Sequence, residues 1–458
     1  MSRTLPLVSA RAPHDTLAWT VRGPISVVRY CADVRRLAGW LPPGRFIINL
    51  CEDRYRYAVL LGACAMSGRV SLQPSSQSPQ VFAQLLQTYE GCRAVGDAQP
   101  AQVLPLQVLR LPPLGLDEAE RHRRDDDAIP AVPIDRTVAI LFTSGSTGQP
   151  TPHAKTWGKL VASGQVEARA LGLDARPHAL VGTVPAQHSY GFESTVLLAL
   201  HGGCSFWSGR PFYPQDLAQA LAAVPRPRMV VTTPFHLRSF ISSGVSLPTV
   251  DLWLSATAPL DDVLAAQVEA ATGAPVHEIY GSTESSQLAT RRTLDGAAWH
   301  PMPGVRLEQD EGGTTWALGD HVEGRVPLSD IIALHEGGRF TLQGRQADMV
   351  NLAGKRTSLA YLNHVLCGID GVRDGAFFLP SEDTAQRVGR LAAFVVAPGH
   401  DQATLLAALR QRIDPIFLPR PLVLVDALAR NDASKVVREQ LQRLYDDWAA
   451  AHGRGDAR

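Results

Sequence analysis

The sequence predicts an α/β protein: a large N-terminal domain of layered α/β sheets with a β subdomain, then a small, mobile α+β C-terminal domain. Three observations predict it. Between residues 138 and 280, apolar runs of strand length alternate with runs of helical spacing, the pattern of sheets faced by helices. From about Val305 the pattern changes to short β segments with glycines, such as Gly337 to Leu342. And 458 residues exceed one ordinary core, so two or more domains are expected. The joint is expected near Gly344–Asp348, dividing the chain into 1–345 and 346–458.

Taken in order, Phe46 to Leu50 reads as a strand, and Tyr57, Leu60, Leu61 and Cys64 fall at helical spacing with Gly68 at the stop. Pro79 opens a helix over Val81 to Tyr89, and a strand is expected within Val103 to Leu111. Residues 116 to 130 mix acids and arginines and read as an exposed connection. Strands are then expected at Val138–Phe142, Leu180–Val184, Met229–Thr233, Val250–Ser255 and Val276–Tyr280. Helices are expected at Trp157–Leu171, from Pro234, and over Pro259–Ala271. The last unit reads as a helix near Leu359–Leu366, a strand at Leu391–Val396, a helix over Ala403–Ile413, a strand at Leu422–Val425 and a helix from Ser434.

Charge and cysteine usage narrow the function. Lys+Arg and Asp+Glu balance at 44 each, which leaves no basic field for nucleic acid or an anionic membrane. The six cysteines are scattered without a Cys-x-x-Cys pair, so they read as reduced thiols, mostly in the core, rather than a metal site. No apolar run is long enough to span a bilayer, and no signal peptide is evident at the N-terminus. A cytoplasmic protein without stable membrane insertion is expected.

Chemistry concentrates in a few loops. The strand ending at Phe142 runs into Thr143-Ser144-Gly145-Ser146-Thr147-Gly148-Gln149-Pro150. Two glycines allow a tight turn, and hydroxyls with backbone N–H groups can cradle a polyphosphate. The spacing is not that of a Walker loop, which needs four residues between its glycines and a following Lys. Tyr280-Gly281-Ser282-Thr283-Glu284 follows a second strand, and a carboxylate at such a mouth can hold Mg²⁺. Ser329-Asp330 places an acid after a strand, where it can accept from ribose hydroxyls. Gly344-Arg345 and Asn431-Asp432-Ala433-Ser434-Lys435, a turn opening the last helix, complete the set.

In this order the motifs are specific. The chain resembles the adenylate-forming superfamily of acyl-CoA synthetases, aryl-acid ligases, nonribosomal peptide adenylation domains and beetle luciferases. Its Thr-Ser-Gly-Ser/Thr-Thr-Gly-x-Pro motif matches Thr143 to Pro150, and its aromatic-Gly-x-Thr-Glu motif matches Tyr280 to Glu284. Its Ser-Gly-Gly-Ala-Pro-Leu segment resembles Ser255 to Leu260. The acid of Thr-Gly-Asp falls on Asp330, the Gly-Arg hinge on Gly344-Arg345, and the C-terminal Gly-Lys on Ser434-Lys435.

The resemblance implies ATP and Mg²⁺ as cofactors, a small carboxylic acid as substrate, and an acyl-adenylate released to a thiol. It implies that Thr143 to Gly148 hold the departing phosphates, Glu284 binds Mg²⁺, and Thr283 contacts the α-phosphate. Tyr280 and Gly281 would lie on adenine, Asp330 and Arg345 on ribose, and Lys435 would reach the carboxylate and α-phosphate from the small domain. A rotation of that domain would then admit the thiol.

Gln187-His188-Ser189-Tyr190-Gly191-Phe192 resembles the His-Asn-Tyr stretch of aryl-acid activating members. It implies His188 among the catalytic candidates and Ser189 meeting a ring hydroxyl. Tyr190 would wall the ring or simply pack beside it, with Ser255 and Thr257 at the border. A hydroxybenzoate loaded on an acyl carrier protein is the favoured expectation, with coenzyme A as the other acceptor. The alternatives are a medium- or long-chain fatty acyl-CoA synthetase and a non-catalytic binding protein on the ligase fold. The chain departs from the family pattern in four places, and those at Thr151, Ser434 and Ala347 motivate the last. Thr151 stands where most members have Lys, with Lys155 four residues on as a replacement. Ser434 precedes the Lys, Ala347 and Asp348 follow the hinge Arg, and Ala256-Thr257 replace two glycines.

Overall fold

The structure is a computed structural model and describes residues 3–74, 79–98, 104–114, 128–144, 150–345, 349–352, 355–380, 390–430 and 436–452. Two large sheets dominate. The first has six strands in the order Pro150–Thr156, Thr137–Ser144, Val70–Gln73, Phe46–Asn49, Arg93–Gly96, Val108–Arg110. Every neighbour pair in it is parallel except the edge hairpin Thr137–Ser144/Pro150–Thr156. The second has nine strands, with Val276–Ser282, Leu252–Ser255, Arg228–Thr232, Ala179–Gly182, Ser205–Trp207 and Thr16–Thr20 side by side and parallel. Antiparallel strands close it at each edge, Ser286–Arg292 with His300–Pro301 on one side and Gly23–Ser26 on the other.

Between the sheets lies the main core. Helix Arg54–Met66, capped by the Asp53 carboxylate, buries eleven of its residues there, and Trp157–Ala170 packs beside it. A helix buried all round marks an inner layer, where each full-sized apolar side chain contributes about 1.5–3 kcal/mol. Arg54 is fully buried and its guanidinium donates to the carbonyls of Trp207, Gly209, Gly182 and Val184. Burial brings its pKa down to about 10, so it remains charged and ties strand ends of the second sheet to the inner helix. Outer helices cover the far faces: Pro79–Thr88 on the first sheet, Pro214–Ala222, Pro234–Ser243 and Asp262–Thr272 on the second.

A smaller β cluster around Trp299, Ala317, Ile332 and Phe340 leans on the Ser286–Arg292 strand. Beyond it, two further cores use only residues from Val350 onward, around strands Asp374–Phe378, Ala392–Val396 and Leu422–Leu424. Among the described residues, no helix is long and apolar enough to cross a membrane. All six cysteines are free, and five are buried.

Several expectations shift. The last helix runs Arg438–His452 rather than from Ser434, because Arg430 and Val436 pair in an isolated bridge first. The helix expected from Pro259 starts at Asp262, since Asp261 caps it by accepting from the Leu264 N–H. Helix Val27–Trp40 and strand Pro150–Thr156 are additional. Most of the charged stretch 116–130 lies outside the described residues.

Candidate active site

The loops singled out by sequence come from two hairpins, one on an edge of each large sheet. The first joins Thr137–Ser144 to Pro150–Thr156, with Thr143 opposite Thr151. Gly145, Ser146, Thr147 and Gly148 lie outside the described residues, as does the side chain of Ser144. Strand Pro150–Thr156 carries two prolines, which a sheet accepts on an edge. Period-2 alternation puts His153 and Lys155 on one face of it. The register then slips between Lys155 and Thr156, and Glu323 accepts from both the N–H and the hydroxyl of Thr156, at 2.6 and 2.8 Å.

The second hairpin joins Val276–Ser282 to Ser286–Arg292, with Ser282 opposite Ser286. Thr283, Glu284 and Ser285 therefore form a three-residue loop, closed by Ser286 in the left-handed region at φ 60°. Such a loop ordinarily takes Gly at that position. Ser282 and Ser285 tie the loop by reciprocal contacts of 3.0–3.2 Å. Gly281 has no room for a side chain, since a Cβ there would meet the Ser286 carbonyl oxygen at 2.3 Å. Its hydrogen thus serves the hairpin's own close approach. At the base, buried Glu278 accepts from Arg291 at 2.6 Å and Thr293 at 3.1 Å.

His153 joins the two tips. Its Nε2 is 3.0 Å from the Thr143 hydroxyl and 3.7 Å from Glu284 Oε1. Burial lowers the His153 pKa and nearby Lys155 adds to this, against the raising effect of Glu284. The Glu284 side chain is 40% exposed, open to solvent as a Mg²⁺ ligand must be, with oxygen chemistry that suits a hard cation. Sequence reasoning missed His153, although its spacing two residues before Lys155 was the available signal.

Tyr280 continues the surface. Its ring packs 5.7 Å from both Trp299 and Phe340, and its hydroxyl donates to Asp330 at 2.8 Å. Asp330 pairs in register with Arg345, so the two sit side by side on adjacent strands; the Arg345 side chain lies outside the described residues. An aromatic face beside a carboxylate fits a nucleoside.

The acid-loop residues divide. His188 precedes the short turn Ser189–Gly191, and its carbonyl accepts from the Phe192 N–H at 2.8 Å. The Ser189 hydroxyl lies 3.2 Å from that of Thr283, which brings this loop to the Glu284 turn. Tyr190 is 4% exposed and its hydroxyl donates to the Leu254 carbonyl, so it packs in the core and leaves its hydroxyl no capacity to donate to a ligand. The hydroxyls of Ser255 and Thr257 are buried without a hydrogen-bond partner among the described residues, and Thr257 holds φ 77°.

Lys155 does not lie in the open beside Thr143. It is 2% exposed, and its ammonium donates to Ser286 Oγ at 3.0 Å and to the Glu284 carbonyl at 3.4 Å. Glu193, equally buried, accepts from the N–H of Gln287 at 3.1 Å and from Ser163 at 3.4 Å. Burial pushes its carboxyl up to about 7 against the pull of Lys155. Glu193 also went unread in the sequence, where it is the one acid in an apolar stretch from Phe192 to Leu200. Lys435, with the rest of Asn431–Lys435, lies outside the described residues, as do Ala347 and Asp348.

Known proteins resemble this chain in sequence and fold. The sequence profile described as "AMP-binding enzyme" matches residues 30–326. A 4-coumarate–CoA ligase of Rhodobacter capsulatus is 31% identical over 279 residues, spanning 60% of this chain and 67% of that protein. A medium/long-chain-fatty-acid–[acyl-carrier-protein] ligase, FadD10, of Mycobacterium tuberculosis is 22% identical over 451 residues, 83% of this chain and 82% of that one. In three dimensions, ATP-bound MatB from Rhodopseudomonas palustris superposes with a TM-score of 0.78 at 21% identity, covering 95% of this chain and 97% of MatB. With the profile spanning well over half its length and the ordered loops in place, the chain belongs to the AMP-binding enzyme family, within the adenylate-forming superfamily of acyl-CoA and aryl-acid synthetases.

Proposed function

We propose that the chain activates a small aryl carboxylic acid, such as a hydroxybenzoate, and passes the acyl group to the phosphopantetheine thiol of a separate carrier protein. The class beneath that proposal, an ATP-dependent, AMP-forming acid–thiol ligase, comes with the family. The single observation that carries the reading is the 3.2 Å contact between Ser189 and Thr283. It joins the acid loop to the turn that bears Glu284. Two buried hydroxyls without a partner among the described residues, on Ser255 and Thr257, favour a ring that brings polar groups of its own, because unsatisfied polar atoms are costly. The balanced charge supplies no general basic field for the nucleotide of coenzyme A, which favours a carrier protein.

The chemistry joins two anions, so the site must neutralise charge and fix geometry. In the first step a carboxylate oxygen of the acid bonds to the α-phosphorus of ATP and the bond to pyrophosphate breaks. In this reading the Thr143–Gly148 hairpin tip holds the departing phosphates, and Thr283 donates to the α-phosphate. Tyr280 covers the adenine face beside Gly281, and Asp330 and Arg345 hold the ribose. His188 stands beside the acid, and Lys435 places its charge on the carboxylate and α-phosphate. Mg²⁺, when held by Glu284, supplies Lewis-acid neutralisation of phosphate charge. In the second step the thiol sulfur bonds to the acyl carbon, its proton leaves, and AMP departs. Withdrawal of Lys435 by movement of the unit beyond residue 345 makes room for that thiol.

The test is acid-dependent exchange of labelled pyrophosphate into ATP with benzoate, hydroxybenzoates, cinnamates and fatty acids. Product mass is then read with coenzyme A and with a holo carrier protein. Exchange strongest with a hydroxybenzoate, and acyl mass on the carrier, is the expected result. Exchange confined to fatty acids would replace the aryl reading with the fatty-acid one. No exchange with any acid would leave a binding protein on the ligase fold.

A further inference from the structure

Beneath the Glu284 turn lie two opposite charges that the mechanism does not use. Lys155 comes from the edge strand of the first sheet, and Glu193 from the π-helical turn Phe192–Leu197 beneath the acid loop. They grip successive residues of the same hairpin: Lys155 donates to the Ser286 hydroxyl and the Glu284 carbonyl, while Glu193 accepts from the Gln287 N–H. Between them sits Ser286, a non-glycine residue at φ 60°. Backbone held in that region is strained for a residue with a side chain and persists where the surroundings over-determine it. The register slip at Lys155/Thr156, fastened by Glu323, is the kind of bulge that re-aims a side chain. It comes directly after Lys155, which keeps its regular pairing opposite Ala139 and the face it shares with His153.

We propose that Lys155 and Glu193 are a buried pair of positioning residues, which hold the Glu284 turn so that its carboxylate faces the phosphate-loop hairpin. Neither touches substrate. The pair does from below what a phosphate-loop cation would do from above: it sets where charge meets the triphosphate. Exposed Thr151, at the position where the family motif carries Lys, leaves that upper place without a cation. The proposal rests on the reading of Glu284 as the Mg²⁺ ligand.

The experiment measures calorimetric affinity for ATP with and without Mg²⁺, together with thermal unfolding, on Lys155→Met, Lys155→Met/Glu193→Gln and Glu284→Gln. Lys155→Met leaves a buried carboxylate uncompensated and is expected to lower the melting temperature. The double variant removes both charges and is expected to recover most of that loss. Its affinity for Mg²⁺-ATP should nonetheless stay tenfold or more below wild type, with metal-free ATP bound normally. Affinity that returns together with the melting temperature in the double variant would show a merely structural role and overturn the proposal. Should Lys155→Met fail to fold, the double variant alone decides. If Glu284→Gln weakens Mg²⁺-ATP binding while the double variant does not, only the positioning role fails. If Glu284→Gln binds Mg²⁺-ATP like wild type, the metal reading falls and the proposal with it.

Discussion

His153 Nε2 stands 3.7 Å from Glu284 Oε1, and this is where an edge hairpin of one large sheet meets an edge hairpin of the other. The same nitrogen lies 3.0 Å from the Thr143 hydroxyl. A neutral imidazole there can hold the phosphate-loop hydroxyl by one hydrogen bond while lying beside the carboxylate. Removing one neutral hydrogen bond costs about 0.5–1.5 kcal/mol. His153→Ala is therefore expected to raise KM for Mg²⁺-ATP roughly two- to tenfold in pyrophosphate exchange. An unchanged KM would deny the residue this role.

Tyr280 and Asp330 share a 2.8 Å hydrogen bond at the edge of an aromatic cluster. Tyr280→Phe keeps the ring against Trp299 and Phe340 but removes one hydrogen bond from the Asp330 carboxylate. KM for ATP should rise by about tenfold with kcat little changed, since hydrogen bonds to charged groups are worth about 1.5–3 kcal/mol. A fall in kcat at constant KM would instead place Tyr280 in the chemical step.

In the proposed mechanism, Lys435 separates the two half-reactions. Lys435→Ala should cut adenylation on the order of 10²–10³, as loss of one oxyanion donor does. Thioester formation from supplied acyl-adenylate should survive. Equal loss of both steps, measured by pyrophosphate exchange and by product mass, would contradict the assignment.

Stability should carry a signature of Glu167. This carboxyl is fully buried in the inner layer, and neither oxygen has a hydrogen-bond partner among the described residues. Burial raises its pKa to about 8, the nearby Glu193 charge adding to this and the Ser194 hydroxyl opposing it. The folded state therefore holds a proton that the unfolded chain has released above about pH 4.5. With more protons bound when folded, stability falls as pH rises between about 4.5 and 8, by up to about 1.4 kcal/mol per unit. Glu167→Gln should flatten the part of that slope due to this residue, leaving the share from Glu193, in chemical denaturation across that range. A slope unchanged by the substitution would contradict it.

Much of this was legible in the chain because the physics was local. Val138 to Phe142 is an apolar run of strand length and Val276, Ile279 and Tyr280 are strand formers, and the turns after them carry the hydroxyls and the carboxylate. What escaped was set by pairing. Strand Pro150–Thr156 hides behind two prolines, tolerated only because it lies on an edge. Ser286–Arg292 ends in two arginines whose partners, Glu278 and Glu269, lie elsewhere in sequence. These two strands make hairpin turns of the loops that follow Phe142 and Tyr280 and bring His153 to Glu284. Helix Val27–Trp40 was readable, since Val27, Tyr30, Cys31, Val34 and Leu37 keep helical spacing after the capping Ser26. The burial of Lys155 was not, because the Ser286 hydroxyl and Glu284 carbonyl that receive its ammonium lie about 130 residues away in sequence.

The central claim is that the two hairpin tips and the Tyr280–Asp330 surface enclose one nucleotide. A crystal structure grown with Mg²⁺ and a non-hydrolysable ATP analogue tests it most directly. Phosphates beside Thr143, metal on Glu284 and ribose on Asp330 are the predicted result; nucleotide bound anywhere else would contradict the account.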